Sequence, residues 1–297
     1  RTGLDARGRT MTTVLSPEQW QEQAELHRQR AESLTAEHLE RRRAGKKHPI
    51  FDFLFEYYPT KPAQLARWHP GAGVLLEGNP PHAGWRDYTT FSDGVGVDVR
   101  GFWGRRKEAL LYIETLLSST ITNPAHFDCF GLHEWAMVYK ADSPRHDLDL
   151  RLTREETNQV VESHSIRCTH YDAFRFFTTP ARPLNFRVLE RSDQVASDQV
   201  GCLHVTMDLY KWATKLGPLV PGPLWLDCFE LARDVRILDM EASPYDVRPL
   251  GFGVVEIEKS AGKLEYVTRQ RLFSRRAAPL RQQLIEIIKN TSTGLPA

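Results

Sequence analysis

The sequence predicts a mainly helical α+β fold: one domain with an N-terminal helical arm and a small C-terminal β-hairpin. Two observations carry this expectation. Apolar residues recur at helical spacing through much of the chain, with capping residues where several of the runs begin. Clean alternation of period two is confined to one stretch near the end, residues 253–268.

Taken in order, Ser16, Pro17 and Gln19 form a helix start, with a capping hydroxyl, a proline at the first helical position and a box-closing glutamine. The helix is expected to reach about Ala44. Its apolar positions (Trp20, Ala24, Leu26, Ala31, Leu34, Leu39) are thin and irregular, which predicts an exposed arm or a break near Leu34 and Thr35. Residues 50–58 read as a short buried helix after Pro49, and residues 62–68 as another turn or two. Residues 71–98, rich in Gly, Pro and Asp, read as irregular strands around 74–76 and 95–97. Helices follow from Arg105 to before Asn123, over 127–140, and from the Thr153 capping box through Val161. Further helices are expected over 200–216 and 224–234. Residues 253–258 and 263–268 around Ser260-Ala261-Gly262 read as the hairpin, and 276–289 as the closing helix. The boundaries are therefore an upstream or added extension over 1–10, the arm over 11–48, the main domain over 49–290 and a tail over 291–297.

Composition narrows the class. With 297 residues, 41% hydrophobic, the chain can build a sizeable core, and a net charge of +1 gives no global field toward nucleic acid or an acidic membrane. The local exception is the basic run Arg41 to Lys47, which suits a helix C-terminus. Four cysteines with no CxxC pair argue against a secreted disulfide framework, so a reducing, cytoplasmic setting is expected. No apolar run nears the roughly 18 residues of a membrane span. Nothing in the chain signals an oligomeric state.

Three runs set a histidine beside a carboxylate inside otherwise core-like sequence. They are Gly131 to Trp135, with His133 and Glu134; Thr169 to Phe174, with His170, Tyr171 and Asp172; and Cys202 to Trp212, with His204, Asp208 and Lys211. Buried ionisable groups must pair, bind a metal or line a pocket. His204 and Asp208, four apart, share one helical face and suit either an acid–base pair or a pair of metal ligands. His133 and Glu134 lack the second histidine of an HExxH zinc motif. Asp227, Glu230, Asp239, Glu241 and Asp246 form a second acidic group, which reads as loop-borne from Asp239 to Asp246. Arg175, Arg182 and Arg187 could hold an anion. There is no Walker loop, dinucleotide fingerprint or GxSxG elbow.

Residues 48–58, 131–139, 172–177, 207–213 and 238–246 together resemble an actinobacterial family that carries the label 3-methyladenine DNA glycosylase, and the likeness spans about residues 11–290. The chain lacks the helix–hairpin–helix signature of well-understood alkyl-base glycosylases, so residue roles are read from the chain itself. The resemblance implies a DNA-repair hydrolase that releases an alkylated purine, acting on DNA or a nucleobase-like molecule and needing no cofactor. The catalytic candidates are then Asp208, Asp172, Glu134 and His204. Trp135, Tyr171 and Trp212 would stack on the base, and Arg175 and Lys211 would contact the substrate. The alternative is a metal-dependent enzyme acting on a small molecule, with iron, manganese or zinc held by His133, His170 and His204 together with carboxylates. A third reading is a helical binding protein with a polar core network.

Overall fold

A computed structural model describes residues 13–58, 60–144 and 146–293; the expected extension over 1–10 lies outside the described residues. β1 (Thr13–Leu15) leads through Ser16 into α1 (Pro17–Arg43), and the capping box forms as the sequence predicts. Short helices α2 (Phe53–Glu56) and α3 (Pro62–Leu65) precede β2 (Val74–Leu76), β3 (Tyr88–Phe91) and β4 (Gly94–Val97). The four strands make one sheet in the order β1-β2-β4-β3, with β1 parallel to β2 and the other pairings antiparallel. Then come α4 (Val99–Thr122), α5 (Leu132–Ala136), α6 (Arg154–Glu162), α7 (Tyr171–Phe174), α8 (Gln194–Ser197), α9 (Leu203–Leu216), α10 (Gly222–Glu241) and α11 (Ser260–Ser292). The mainly helical α+β class holds. Helices α9, α10 and α11 pack on one another, α4 lies against α11, and the large core cluster runs through all four.

The expected C-terminal hairpin is absent. Residues 263–268 belong to α11, whose buried Tyr266, Gln270, Phe273, Ala277, Arg281, Leu284 and Ile288 keep helical spacing over its whole length. A six-residue window showed only the local alternation, whereas the 3.6-residue period needs several turns to appear. Gly262 serves close approach rather than a β-turn, because a Cβ there would stand 2.1 Å from the Glu256 carbonyl oxygen. The strands lie instead at the N-terminal end, two of them where 74–76 and 95–97 were expected. The helix expected over 127–140 shrinks to α5, because Phe130 (φ 46°), Gly131 (φ 71°) and Lys140 (φ 50°) take left-handed backbone that no α-helix accepts.

The arm also differs from expectation. α1 runs unbroken and buries Trp20, His27, Ala31, Thr35 and His38 against α3, α10 and neighbouring segments. His27 Nε2 meets the Leu65 carbonyl at 2.9 Å, and His38 Nδ1 meets Asp52 Oδ1 at 2.9 Å. Thr35 returns its hydroxyl to the Ala31 carbonyl, and Arg30 pairs with Asp227 and Glu230 of α10. All four cysteines are free, and no helix among the described residues is long and apolar enough to cross a membrane.

Candidate functional site: a buried chain of imidazoles and carboxylates

The three histidine-bearing runs meet where α5, α7, α9 and α10 come together. α5 contributes His133 and Glu134, and His170 is the residue that opens α7, with Asp172 in its first turn. His204, Asp208 and Lys211 project from one face of α9, as their spacing predicts. The last turn of α10 adds Asp239, so that residue sits on a helix rather than a loop, while Asp246 lies apart, paired with Arg248.

At the inner end, His133 Nε2–H donates to Asp239 Oδ1 at 2.8 Å, and Arg236 donates to Asp239 Oδ2 at 2.6 Å and to Glu134 Oε1 at 3.2 Å. All four groups are buried; Asp239 has no exposure at all. The Arg236 guanidinium also lies over the Phe53 ring, 4.2 Å from its centroid. Burial pushes the Asp239 carboxyl upward, but the facing His133 and its hydrogen bond, with His204 and Arg236 beyond, hold it well below the usual carboxylate range.

His204 occupies the middle. Its ring meets His133 edge-on with centroids 4.4 Å apart and lies nearly parallel to His170 at 5.6 Å. No described residue hydrogen-bonds its nitrogens. Burial, reinforced by the neighbouring His133, pushes its imidazole well below the ordinary value, so the ring is neutral at pH 7.

At the outer end the pairing is ionic. His170 Nδ1–H donates to Asp198 Oδ1 at 2.8 Å, and its Nε2 lies 3.5 Å from Asp208 Oδ2, near enough to attract but without a hydrogen bond. Burial disfavours the His170 cation, yet the Asp198 charge, its hydrogen bond and the Asp208 charge outweigh burial and raise the imidazole above its ordinary value. Tyr58 donates to Asp208 Oδ1 at 3.0 Å, and Lys211 donates to Asp208 Oδ2 at 3.2 Å and to Asp172 Oδ2 at 2.9 Å. Burial raises the Asp172 carboxyl, but the Lys211 hydrogen bond and charge overcome it and leave the group at about 2. Asp172 is 23% exposed and Arg175, 3.4 Å away, is 45% exposed, so this end of the chain reaches solvent.

Not every candidate fits its expected role. Trp135 is fully buried and donates its indole N–H to the Ala242 carbonyl at 2.9 Å, which leaves no face for a base. Trp212 is nearly buried, with Lys211 and Lys215 lying over its ring. Tyr171, with Tyr57 beside Asp172, keeps a partly open side.

Asp198, Arg236 and Tyr58 belong to the network but were not picked out by sequence. Arg236 had a signal: with Asp239 it makes a charged i,i+3 pair in an apolar helix, which in a core demands further partners. Asp198 and Tyr58 reach His170 and Asp208 from 28 and 150 positions away, so no local pattern marks them.

Two donor groups follow. His133, Glu134, His204 and Asp239 offer ligand atoms that all lie within 4.8 Å of one another, as do His170, Asp172 and Asp208. A cationic side chain already lies between the two carboxylates of each group, Arg236 in the first and Lys211 in the second. No family model matches the chain, and no match to a curated protein or a solved structure was found.

Proposed function

We propose that the protein is a metal-dependent enzyme acting on a small polar substrate, with the cation held by His133, His204, Asp239 and Glu134. The observation that carries this reading is the four-donor group, two imidazoles and two carboxylates within 4.8 Å, at whose centre His204 is neutral and lacks a hydrogen-bond partner among the described residues. A metal ligand must be unprotonated, and His204 is kept so. Two carboxylates face the single Arg236 cation, a donor set that suits a divalent ion. Mixed nitrogen and oxygen donors suit iron(II) or manganese(II), with zinc next. Such a cation would polarise a bound oxygen and ease deprotonation of water. His170, Asp208 and Lys211, which lead from this group toward the part-exposed Asp172, would then supply proton transfer and charge complementarity.

The second group has a single imidazole, whose Nδ1 is already given to Asp198, so the expected stoichiometry is one cation per chain. Protein purified without chelators should carry or take up about one equivalent of iron, manganese or zinc by elemental analysis. His204→Gln should lose it, and Asp172→Asn should keep it. A wild-type protein that binds none of the three, or full binding by folded His204→Gln, would overturn the reading.

A second reading keeps the hydrolase that the resemblance implies. Asp208 sits between Tyr58, Lys211 and His170, near the half-open Tyr57, an arrangement that could stabilise a sugar cation next to a stacked base. Here alkylated DNA should release base, Asp208→Asn should lower that rate by about two orders of magnitude, and binding should weaken steeply with salt. Base release by the folded variant at the wild-type rate would remove Asp208 from this role.

A further inference from the structure

A cavity of about 190 Å³ lies on another face of α9 from Asp208. Thr60, Gln64, Arg67, His69, Pro218 and Trp225 form most of its wall, and neither Asp nor Glu lines it. Arg67 pairs with no carboxylate among the described residues; its guanidinium lies over the Trp85 ring, 5.7 Å from the centroid. Gln64 gives its amide oxygen to the Lys61 backbone N–H at 2.9 Å, which leaves its NH2 without a partner among the described residues. His69 Nδ1 lies 2.7 Å from the Tyr88 hydroxyl, and its Nε2 has no hydrogen bond among the described residues. Burial, with His82 and His27 nearby, holds the His69 imidazole down at about 3, so the ring stays neutral. Trp225 is fixed by its indole N–H, which donates to the Thr214 hydroxyl at 2.9 Å.

We infer that this cavity binds a small organic carboxylate with a flat apolar body, its carboxylate held by Arg67, Gln64 and His69 and its body against Trp225 and Pro218. The argument is one of valence. Arg67 and the Gln64 NH2 can only donate. His69 joins them when Tyr88 donates its hydroxyl to Nδ1, which puts the ring proton on Nε2. Three donors facing a space without carboxylates call for an acceptor with two oxygens in a plane, which the guanidinium fork matches. The lining also holds a flat indole and a proline, Trp225 and Pro218, so the rest of the ligand is apolar and thin. Drug-sized sites run to about 300–1,000 Å³, so this one suits a single-ring acid. The inference does not depend on the metal reading, since neither donor group lines this cavity.

Benzoate is the probe, titrated calorimetrically into the full chain, with benzyl alcohol and inorganic phosphate as comparators. One saturable benzoate site is expected, with neither comparator displacing it. Arg67 is exposed, so Arg67→Ala should keep the wild-type circular dichroism and melting point while weakening benzoate by about 10- to 100-fold, the loss of a charged hydrogen bond. His69→Phe, which keeps a ring but no donor, should weaken it as well. Absence of saturable benzoate binding, an unchanged affinity in folded Arg67→Ala, or displacement by phosphate would overturn the inference.

Discussion

Two groups of three histidines lie on either side of α9, and their neighbours differ. His133, His170 and His204 sit among Asp198, Asp208, Asp239, Glu134 and the cations Arg236 and Lys211. His27, His69 and His82 face the Leu65 carbonyl, the Tyr88 hydroxyl and the Trp68 carbonyl, with Trp68, Trp85 and Tyr88 against the rings of His69 and His82. Burial outweighs the hydrogen bonds to neutral partners, so all three imidazoles of the second group fall below their ordinary value. In the first group the same burial is answered by charge, and the outcome splits: His170 rises while His204 falls. Burial lowers every one of these shifted imidazoles, and only at His170 do neighbouring carboxylates outweigh it.

The largest effect should come from removing the contribution of α1 to the second group. Deleting residues through Lys47 takes away His27 and the rest of the buried stripe, and exposes the faces of α3 and α10 that they cover. α1 and α10 approach so closely that a Cβ on Gly222 would lie 2.6 Å from His27 Nδ1. The truncated chain should lose its cooperative melting transition; a wild-type transition by circular dichroism would show that α1 is a dispensable arm after all.

This stripe is also where the sequence was hardest to read. Of its five buried residues, His27, Thr35 and His38 are polar, so a count of apolar positions passes over most of the face. The three site runs were legible for the converse reason: His133, His170 and His204 stand beside carboxylates within strongly apolar sequence, a combination that burial permits only with partners. Their convergence could be expected, but their closing partners could not. Asp198 and Tyr58 are supplied by segments whose own sequence signals nothing, because a tertiary contact leaves no local period. Asp239 was visible as an acid but was misplaced in a loop, since Ser243 and Pro244 mark a turn that begins only after α10 ends at Glu241.

Next in size is the charge pair at the inner end. Asp239→Asn leaves the shape nearly unchanged but removes the principal counter-charge of the fully buried Arg236, which then has Glu134 alone at 3.2 Å. Breaking one side of a buried pair costs about 3–5 kcal/mol. In the second group, His82→Gln disturbs one bond to a neutral carbonyl, for which about 1–3 kcal/mol is expected. Urea denaturation of both variants tests the contrast directly. Equal losses would mean that the carboxylate network is no more coupled than an ordinary buried hydrogen bond.

The smallest effect is a slope. His69 is held neutral in the folded protein down to about 3, whereas an unfolded chain protonates it near its ordinary value of about 6.5. Between those values the unfolded state binds the extra proton, so stability falls as the pH falls, by up to about 1.4 kcal/mol per pH unit for one fully coupled group. Above about 6.5 neither state is protonated and the contribution is flat; below about 3 both are, and it flattens again. His27 and His82 act in the same direction, since their values are lowered too. Asp172, held at about 2, has its own window: its stabilisation is complete above the usual carboxylate value of about 3.9 and is lost as the pH falls toward 2. The interval from 6.5 down to about 4 is thus free of the Asp172 contribution. Stability measured there by urea denaturation should depend less steeply on pH in His69→Phe than in the wild type, by up to one proton. Parallel slopes for the two proteins would show that His69 is already charged in the folded state, and that the second group meets its cations with charge after all.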